Sequence, residues 1–132
     1  MIGPIGPAGP NDAAMFDIDD TLLFLDGTPN IPIIEILFRM KDLGYKIVII
    51  TARPHTTFNV KLTKAQLQNN GIYYDHLGFT TPETKGDMKV ELGYNFILSV
   101  GDQWTDWTHS KYYIDTNTSN VSRNYGTLQR RS

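Results

Sequence analysis

The chain contains a run of consecutive β-branched residues, Ile47-Val48-Ile49-Ile50, which limits the possible folds more than any other feature of the sequence. A strand with apolar side chains on both faces is typical of a parallel sheet that is covered by helices on both sides. Residues 13–18 form a second apolar run, ending in carboxylates, and they also predict a strand. Between these runs, Ile33, Leu37 and Met40 recur at helical spacing and Gly44 provides a helix stop. The sequence therefore predicts a β-α-β unit.

Segments of alternating type continue after this unit. A helix is predicted over residues 57–70, with Phe58, Leu62 and Ala65 on its buried face. We also expect a weaker strand within residues 72–80, a helix over 86–92, a strand over 95–100 and a short strand over 112–115. Strands that alternate with helices form parallel sheets with right-handed crossovers. The predicted fold class is α/β, with a central parallel sheet between two helical layers.

The length of 132 residues fits one domain, flanked by two segments of different composition. Residues 1–12 form a collagen-like Gly-X-Y leader with glycine at every third position, residues 13–115 form the folded domain, and residues 116–132 form a polar C-terminal tail that we expect to be mobile. The leader has two interpretations, a flexible extended segment, which we favour, and a trimerising stalk. Its proline content argues against a place inside the fold.

Composition excludes several kinds of site and location. The chain has no cysteine, so it has no disulfide, no thiolate nucleophile and no cysteine-ligated zinc. Its formal charge of −2 does not indicate affinity for nucleic acid or for an anionic membrane, but the net charge does not exclude a local basic patch. No apolar run approaches the ~20 residues that cross a bilayer, and no signal peptide is evident. We therefore predict a cytoplasmic protein without membrane contact. A location in a virion or in another assembly is not excluded by the sequence.

Polar residues follow three of the predicted strands. Residues 17–21 place three carboxylates, Asp17, Asp19 and Asp20, within four positions; Thr51 and Arg53 follow the second strand; and Asp102 and Asp106 follow the fourth. Ligands bind at the carboxyl ends of parallel strands, so these groups should converge. Crowded carboxylates need a cation to offset their repulsion, and magnesium (Mg²⁺) suits such ligands. Taken singly, the acidic cluster could be a surface turn with a helix N-cap, and Thr51 could simply cap a turn.

A lysine before or within the third helix could supply positive charge to this edge of the sheet. Lys85 and Lys89 are both candidates, and the sequence does not decide between them. A surface lysine is more often only a solvated charge. His55, His76 and His109 have no spacing typical of a metal-ligand set.

Together these residues resemble the haloacid dehalogenase (HAD) superfamily, over nearly the whole chain after Ala13. Asp17-x-Asp19-x-Thr21 looks like motif one, Thr51 like motif two, Lys85 like motif three and Gly101-Asp102-x-x-x-Asp106 like motif four. The segment Gly-Asp-Gln-Trp-Thr-Asp at 101–106 is further similar to the plant-type and class B acid phosphatase branch. The resemblance implies a three-layer, Rossmann-like fold and an aspartyl-phosphate mechanism.

The roles that the resemblance implies are specific to each motif. Asp17 is the nucleophile and Asp19 the general acid and base, while Thr51 and Lys85 bind the phosphoryl oxygens. The metal ligands are Asp17, Asp19 through its main-chain carbonyl, and Asp102, with Asp106 as a ligand or close by. The implied substrate is a phosphomonoester and the implied cofactor is Mg²⁺.

Substrate access is predicted from the short intervals between motifs, which leave no room for a cap domain. We expect an open site with Arg53, His55 and Trp104 at its rim, low selectivity among small phosphomonoesters, and access for nucleic-acid ends. Three functions stay open: a phosphomonoesterase, which we favour, a nucleotide or polynucleotide-end phosphatase, and a non-catalytic module on a collagen-like trimeric stalk. The protein would be a monomer or a trimer driven by the collagen-like tail.

Overall fold

A computed structural model describes residues 4–117 and the strand formed by residues 128–130. Its six strands lie in one sheet with the order β3-β2-β1-β4-β5-β6. The elements, in chain order, are β1 Asp12–Phe16, α1 Ile31–Asp42, β2 Lys46–Thr51, α2 Thr57–Asn69, β3 His76–Phe79, a 3-10 turn Pro82–Thr84, α3 Lys85–Leu92, β4 Asn95–Gly101, α4 Trp104–Trp107, β5 Tyr112–Asp115 and β6 Leu128–Arg130. Strands β1 to β5 are parallel, which confirms the predicted fold class.

Strand β2 is buried on both faces. Ile47 and Ile49 of β2 belong to the larger hydrophobic cluster, while Val48 and Ile50 belong to a smaller one on the opposite face. Alternate residues of a strand point to opposite faces, so the β-branched run supplies both clusters. The prediction that this run forms a doubly buried strand is confirmed.

Helix α1 packs as its sequence pattern predicts. Its buried side chains are Ile33, Ile34, Leu37 and Met40, which lie along one stripe of the helix. The chain then passes through Gly44, whose φ of 95° suits a glycine, and enters β2.

Helix α2 turns a different face to the sheet from the one predicted. Phe58 is 73% exposed and Leu62 is 42% exposed, whereas Thr63 and Leu67 are fully buried. Ala65, the third residue of the predicted buried face, is also exposed. The prediction is wrong because Thr63 faces inward, where its hydroxyl accepts a hydrogen bond from Arg53 (2.8 Å).

The described part of the leader packs on the domain, so the expectation that it stays outside the fold is wrong. Ile5 is 8% exposed and belongs to the larger hydrophobic cluster. The Tyr45 hydroxyl donates to the Gly6 carbonyl (2.7 Å), and the Ala8 amide donates to the Leu43 carbonyl (2.9 Å). A trimer built on this segment stays a prediction.

The expectation of a mobile, unstructured tail is also wrong for part of residues 116–132. Thr116 is buried, and β6 pairs with β5 in the antiparallel direction. Residues 118–127 and 131–132 lie outside the described residues.

The intervals after β1 and β2 contain no further folded unit among the described residues. The first is a loop that leads into α1, and the second holds α2, β3 and the 3-10 turn. In the part of the chain that the structure describes, no helix has the length and apolar character that crossing a membrane requires.

Candidate active site

The carboxyl ends of β1, β2 and β4 meet at one edge of the sheet, and an open cleft of ≈ 390 Å³ lies there. The Asp17 amide donates to the Val100 carbonyl (2.9 Å), which ties the end of β1 to the end of β4. The cleft is lined by residues from all three strand ends and from the start of α3: Asp17, Asp19, Asp20, Thr51, Ala52, Arg53, Pro54, Pro82, Lys85, Asp102 and Gln103. The predicted convergence of the strand ends is therefore observed.

The turn after β1 is fixed by main-chain contacts. The Thr21 and Leu23 amides both donate to the Ile18 carbonyl (3.1 and 3.0 Å), and Asp20 takes a positive φ of 58°. The Thr116 hydroxyl donates to the Asp20 carbonyl (2.9 Å). Sequence reasoning had placed Thr116 in the tail and missed this contact, because no motif marks it.

Lys85 is the lysine that reaches the carboxylates. Its Nζ donates to Asp17 Oδ1 (3.0 Å) and to Asp106 Oδ1 (2.6 Å), and its side chain is 4% exposed. Lys89, one turn later, is buried elsewhere. Its Nζ donates to the carbonyls of Asp106 and Thr108 (both 2.6 Å). Of the two lysines, only Lys85 lines the cleft.

Three carboxylates form a group suited to a metal ion. Asp17, Asp102 and Asp106 each offer an oxygen, and these oxygens lie within 4.8 Å of one another. The Asp19 carboxylate is not in this group, which leaves its main-chain carbonyl as the atom that the resemblance assigns to the metal. Both oxygens of Asp106 already accept hydrogen bonds, Oδ1 from Lys85 (2.6 Å) and Oδ2 from the Gln103 amide (3.2 Å).

Gly101 makes the position of Asp106 possible. A Cβ at residue 101 would lie 2.3 Å from Asp106 Oδ2 and 2.4 Å from its Cγ. The glycine of motif four is therefore required by close packing against the Asp106 carboxylate.

The electrostatics of the group indicate a shortage of positive charge. Burial and the neighbouring Asp106 carboxylate raise the pKa of Asp17 to about 8, against the opposing effect of Lys85. Burial and Asp106 also raise the pKa of Asp102. Burial works to lower the pKa of Lys85, but the Asp17 and Asp106 carboxylates outweigh it and raise that pKa. The group thus has three carboxylates and one ammonium, which contacts two of them, and a divalent cation would remove the imbalance.

Thr51 lines the cleft and is 1% exposed. Its hydroxyl accepts a hydrogen bond from the Arg53 amide (3.1 Å), so it caps the turn that follows β2. A hydroxyl can accept one such bond and still donate its proton to an anion. The capping and anion-binding interpretations are therefore compatible.

Arg53 occupies the cleft wall in a way that the sequence did not predict. Its Nη2 and Nε donate to the two oxygens of Asp19 (2.8 and 3.0 Å), and its Nη1 donates to Thr63 and Gln66 of α2 (2.8 and 2.7 Å). The other two side chains expected at the rim, His55 and Trp104, are not among the lining residues, although their neighbours Pro54 and Gln103 are. His55 instead stacks on Phe79 at 5.2 Å.

Comparisons with known proteins agree with this geometry. A family model described as HAD superfamily, subfamily IIIB (acid phosphatase), matches residues 28–125. The match begins after the first motif and includes Thr51, Lys85, Asp102 and Asp106. No curated protein matches the chain.

A chain in a solved structure described as "Structure of Pnkp1/Rnl/Hen1 complex" has the same fold. The TM-score is 0.64 at 20% identity, and the match covers 72% of this chain and 40% of that one. The chain thus spans less than half the length of that relative, and the likeness concerns the fold alone.

Proposed function

The chain belongs to subfamily IIIB of the HAD superfamily, the acid phosphatases, and on this premise we propose that it hydrolyses phosphomonoesters through a phosphorylated Asp17 with the help of Mg²⁺. The family supports the prediction of a phosphatase. The nucleophile, the metal and the individual residue roles belong to the proposal.

The observation that carries the proposal is the surroundings of Asp17. The Asp17 side chain is 10% exposed, lines an open cleft and contacts the Lys85 ammonium at 3.0 Å. A buried carboxylate beside a cation, and open to the cleft on one side, suits attack on an anionic phosphoryl group. Phosphoryl transfer depends mainly on such positioning and on neutralisation of charge.

The proposed reaction has two displacements at phosphorus. An Asp17 oxygen attacks phosphorus and the ester P–O bond breaks, while Asp19 gives its proton to the leaving oxygen. Asp19 then takes a proton from a water, whose oxygen attacks the same phosphorus, and the bond from phosphorus to Asp17 breaks. The products are an alcohol, inorganic phosphate and the original enzyme.

Each remaining side chain has a distinct part in this proposal. Lys85 neutralises Asp17 and the transferred group, and Thr51 donates its hydroxyl to a phosphoryl oxygen. Asp17, Asp102 and the Asp19 main-chain carbonyl would hold Mg²⁺, which supplies charge neutralisation when bound. Because both Asp106 oxygens accept hydrogen bonds from the protein, Asp106 fits a role in positioning Lys85 better than a role as a direct ligand.

The test is an assay of a phosphomonoester panel with Mg²⁺ and with excess chelator, for the wild-type protein and for Asp17→Asn. The proposal expects Mg²⁺-dependent release of phosphate by the wild type alone. Acid quench during turnover should trap phosphate on a peptide that contains residue 17. Wild-type-like turnover by a folded Asp17→Asn protein would refute the proposed nucleophile.

A second candidate, a polynucleotide-end phosphatase, is favoured by the outer face of α2. This helix begins next to the cleft, its charged side chains are Lys61 and Lys64, and it exposes Phe58 and Leu62. Lysines and an exposed aromatic ring suit a single-stranded nucleic acid. The test compares kcat/KM on a 3′-phosphorylated oligonucleotide and on p-nitrophenyl phosphate, for the wild type and for a Lys61→Gln, Lys64→Gln double variant. A loss confined to the oligonucleotide supports this candidate; equal values for both proteins contradict it.

The open cleft predicts low selectivity among small phosphomonoesters, and a preference of several orders of magnitude for one small metabolite would contradict this.

Two further predictions concern assembly and location. The alternative of a non-catalytic module on a collagen-like stalk predicts a stable trimer that releases no phosphate. The cytoplasmic location stays a prediction.

A further inference from the structure

We propose that Thr63 and Gln66 of helix α2 are positioning residues for catalysis, because they hold Arg53 in the orientation that fixes the Asp19 carboxylate. The inference rests on the proposed function, in which Asp19 is the general acid and base. It assigns a catalytic purpose to the inner face of α2, which contributes few apolar side chains to the core.

The contacts form a continuous chain from the helix to the carboxylate. Thr63 Oγ1 and Gln66 Oε1 accept from Arg53 Nη1 at 2.8 and 2.7 Å, and the opposite edge of the guanidinium donates to Asp19 through Nε and Nη2 at 3.0 and 2.8 Å. A guanidinium is planar and rigid, so fixing one edge fixes the direction of the other. The two helix side chains therefore determine where the Asp19 carboxylate can lie.

These contacts also argue against phosphate binding as the main role of Arg53. An arginine has five N–H donors, and the Asp19, Thr63 and Gln66 contacts already use four of them. Its side chain is 15% exposed, whereas that of Asp19 is 40% exposed. Both side chains line the cleft, and Asp19 is the more accessible of the two.

The arginine needs such an anchor because of its position in the chain. Arg53 lies between β2 and α2, outside both elements, and Asp19 lies in the turn after β1. An ion pair between a residue of this loop and a residue of this turn would be weak and mobile if no other contact held it. Thr63 and Gln66 are three residues apart on a helix and so face the same direction. Thr63 is fully buried, which makes it a rigid support.

Loss of the anchor should impair proton transfer more than substrate binding. A misplaced general acid matters little when the leaving group is acidic and departs without a proton, and matters more when the leaving group is basic. The diagnostic quantity is kcat/KM, which reports the first displacement, for phenyl phosphate relative to p-nitrophenyl phosphate. A general loss of folding or of binding would lower both values together.

The main variant is Gln66→Met, which keeps the size of the side chain and removes the acceptor. Its matched control is Gln68→Met, the same substitution at an exposed position of the same helix. A second pair acts on the other contact: Thr63→Val removes the hydroxyl at similar volume, and Thr63→Ser retains it. Gln66 is only half-buried, so its variant keeps the test informative if Thr63→Val fails to fold.

We expect Gln66→Met to lower kcat/KM for phenyl phosphate by about 10-fold, a fraction of the 10² to 10⁴ typical of a whole acid-base group. The effect on p-nitrophenyl phosphate should be several times smaller, and Gln68→Met and Thr63→Ser should match the wild type on both substrates. If Gln66→Met and Gln68→Met behave alike on both substrates while the wild type is active, the inference is wrong and the proposed function stands. If the wild type releases no phosphate from any ester, the proposed function fails and this inference falls with it.

Discussion

Replacing Asp17 with asparagine should remove activity and at the same time stabilise the metal-free protein at neutral and alkaline pH. Asp17 is buried next to Asp106, and this environment raises its pKa from 3.8 to about 8. Between those two pH values the folded state binds a proton that the unfolded state has released. The free energy of unfolding must therefore fall as pH rises through this window, and the loss is complete above the folded pKa. Asparagine has no proton to lose, so its variant avoids this loss.

The size of the stability difference follows from the difference between the folded and unfolded pKa of Asp17. At about 1.4 kcal/mol per pH unit, the limit for one group is roughly 5 to 6 kcal/mol. Relaxation of water and side chains around a buried charge reduces such values, so we expect a gap of about 2 to 5 kcal/mol at pH 8 and almost none near pH 4. Mg²⁺ should narrow this gap, since it binds the ionised carboxylate of the wild type; a concentration of 100 Kd contributes about 2.7 kcal/mol to the wild type alone.

The assay is urea unfolding of both proteins from pH 4.5 to 8.5, with EDTA and with saturating Mg²⁺. Asp42→Asn, at an exposed position on the surface of α1, is the matched control and should track the wild type. A constant difference between the Asp17→Asn and wild-type profiles across the pH range in EDTA would refute the reasoning. So would equal stabilisation of both proteins by Mg²⁺.

The remaining predictions concern catalysis and packing at the same site. Asp19→Asn should lower kcat/KM for phenyl phosphate by about 10² to 10⁴-fold, and an unchanged rate with this poor leaving group would assign Asp19 another role. Gly101→Ala places a Cβ 2.3 Å from Asp106 Oδ2; it should cost about 1 to 3 kcal/mol of stability in urea unfolding and most of the activity, and a fully active, equally stable variant would contradict the packing argument. Excess EDTA should abolish phosphate release and added Mg²⁺ should restore it, whereas full activity in chelated protein would contradict the metal assignment.

The location of the site could be predicted because it depends on topology. Parallel strands bring their carboxyl ends to one edge, so the residues after each strand could be grouped without knowing any distance. Asp17, Thr51 and Asp102 were brought together by this argument alone, and all three line the observed cleft. Their chemical roles rest on the resemblance and on the proposed mechanism.

The orientation of α2 could not be predicted, because hydrophobic periodicity detects only apolar burial. The sequence pointed to Phe58 and Leu62, yet these are exposed and Thr63 is buried. A buried polar residue is tolerated where its hydrogen-bonding group finds a partner, and the partner here, Arg53, comes from another segment. The information that orients this helix is thus a tertiary contact, which a single-helix pattern does not contain.

The predictions for the two ends of the chain are wrong, over their described residues, for a related reason. Glycine and proline at every third position favoured an extended leader, but they do not describe the side chains between them. Ile5 enters the core, and the main chain around it is satisfied by Tyr45 and Leu43. Strand β6 likewise depends on the free edge of β5, to which it supplies an antiparallel partner. Both segments are ordered by surfaces that exist only after the domain has folded.

The choice between Lys85 and Lys89 shows how finely the site depends on helix register. The two residues are four apart, so they share one face of α3 and both side chains are buried. One helical turn, about 5.4 Å along the axis, separates an ammonium that contacts the Asp17 and Asp106 carboxylates from one that contacts the Asp106 and Thr108 carbonyls. Asp106 is therefore held by both lysines, through its side chain by the first and through its main chain by the second. Helix α3 thus fixes the segment after β4 against the end of β1, and a shift of a single turn would leave the carboxylate group without its buried cation.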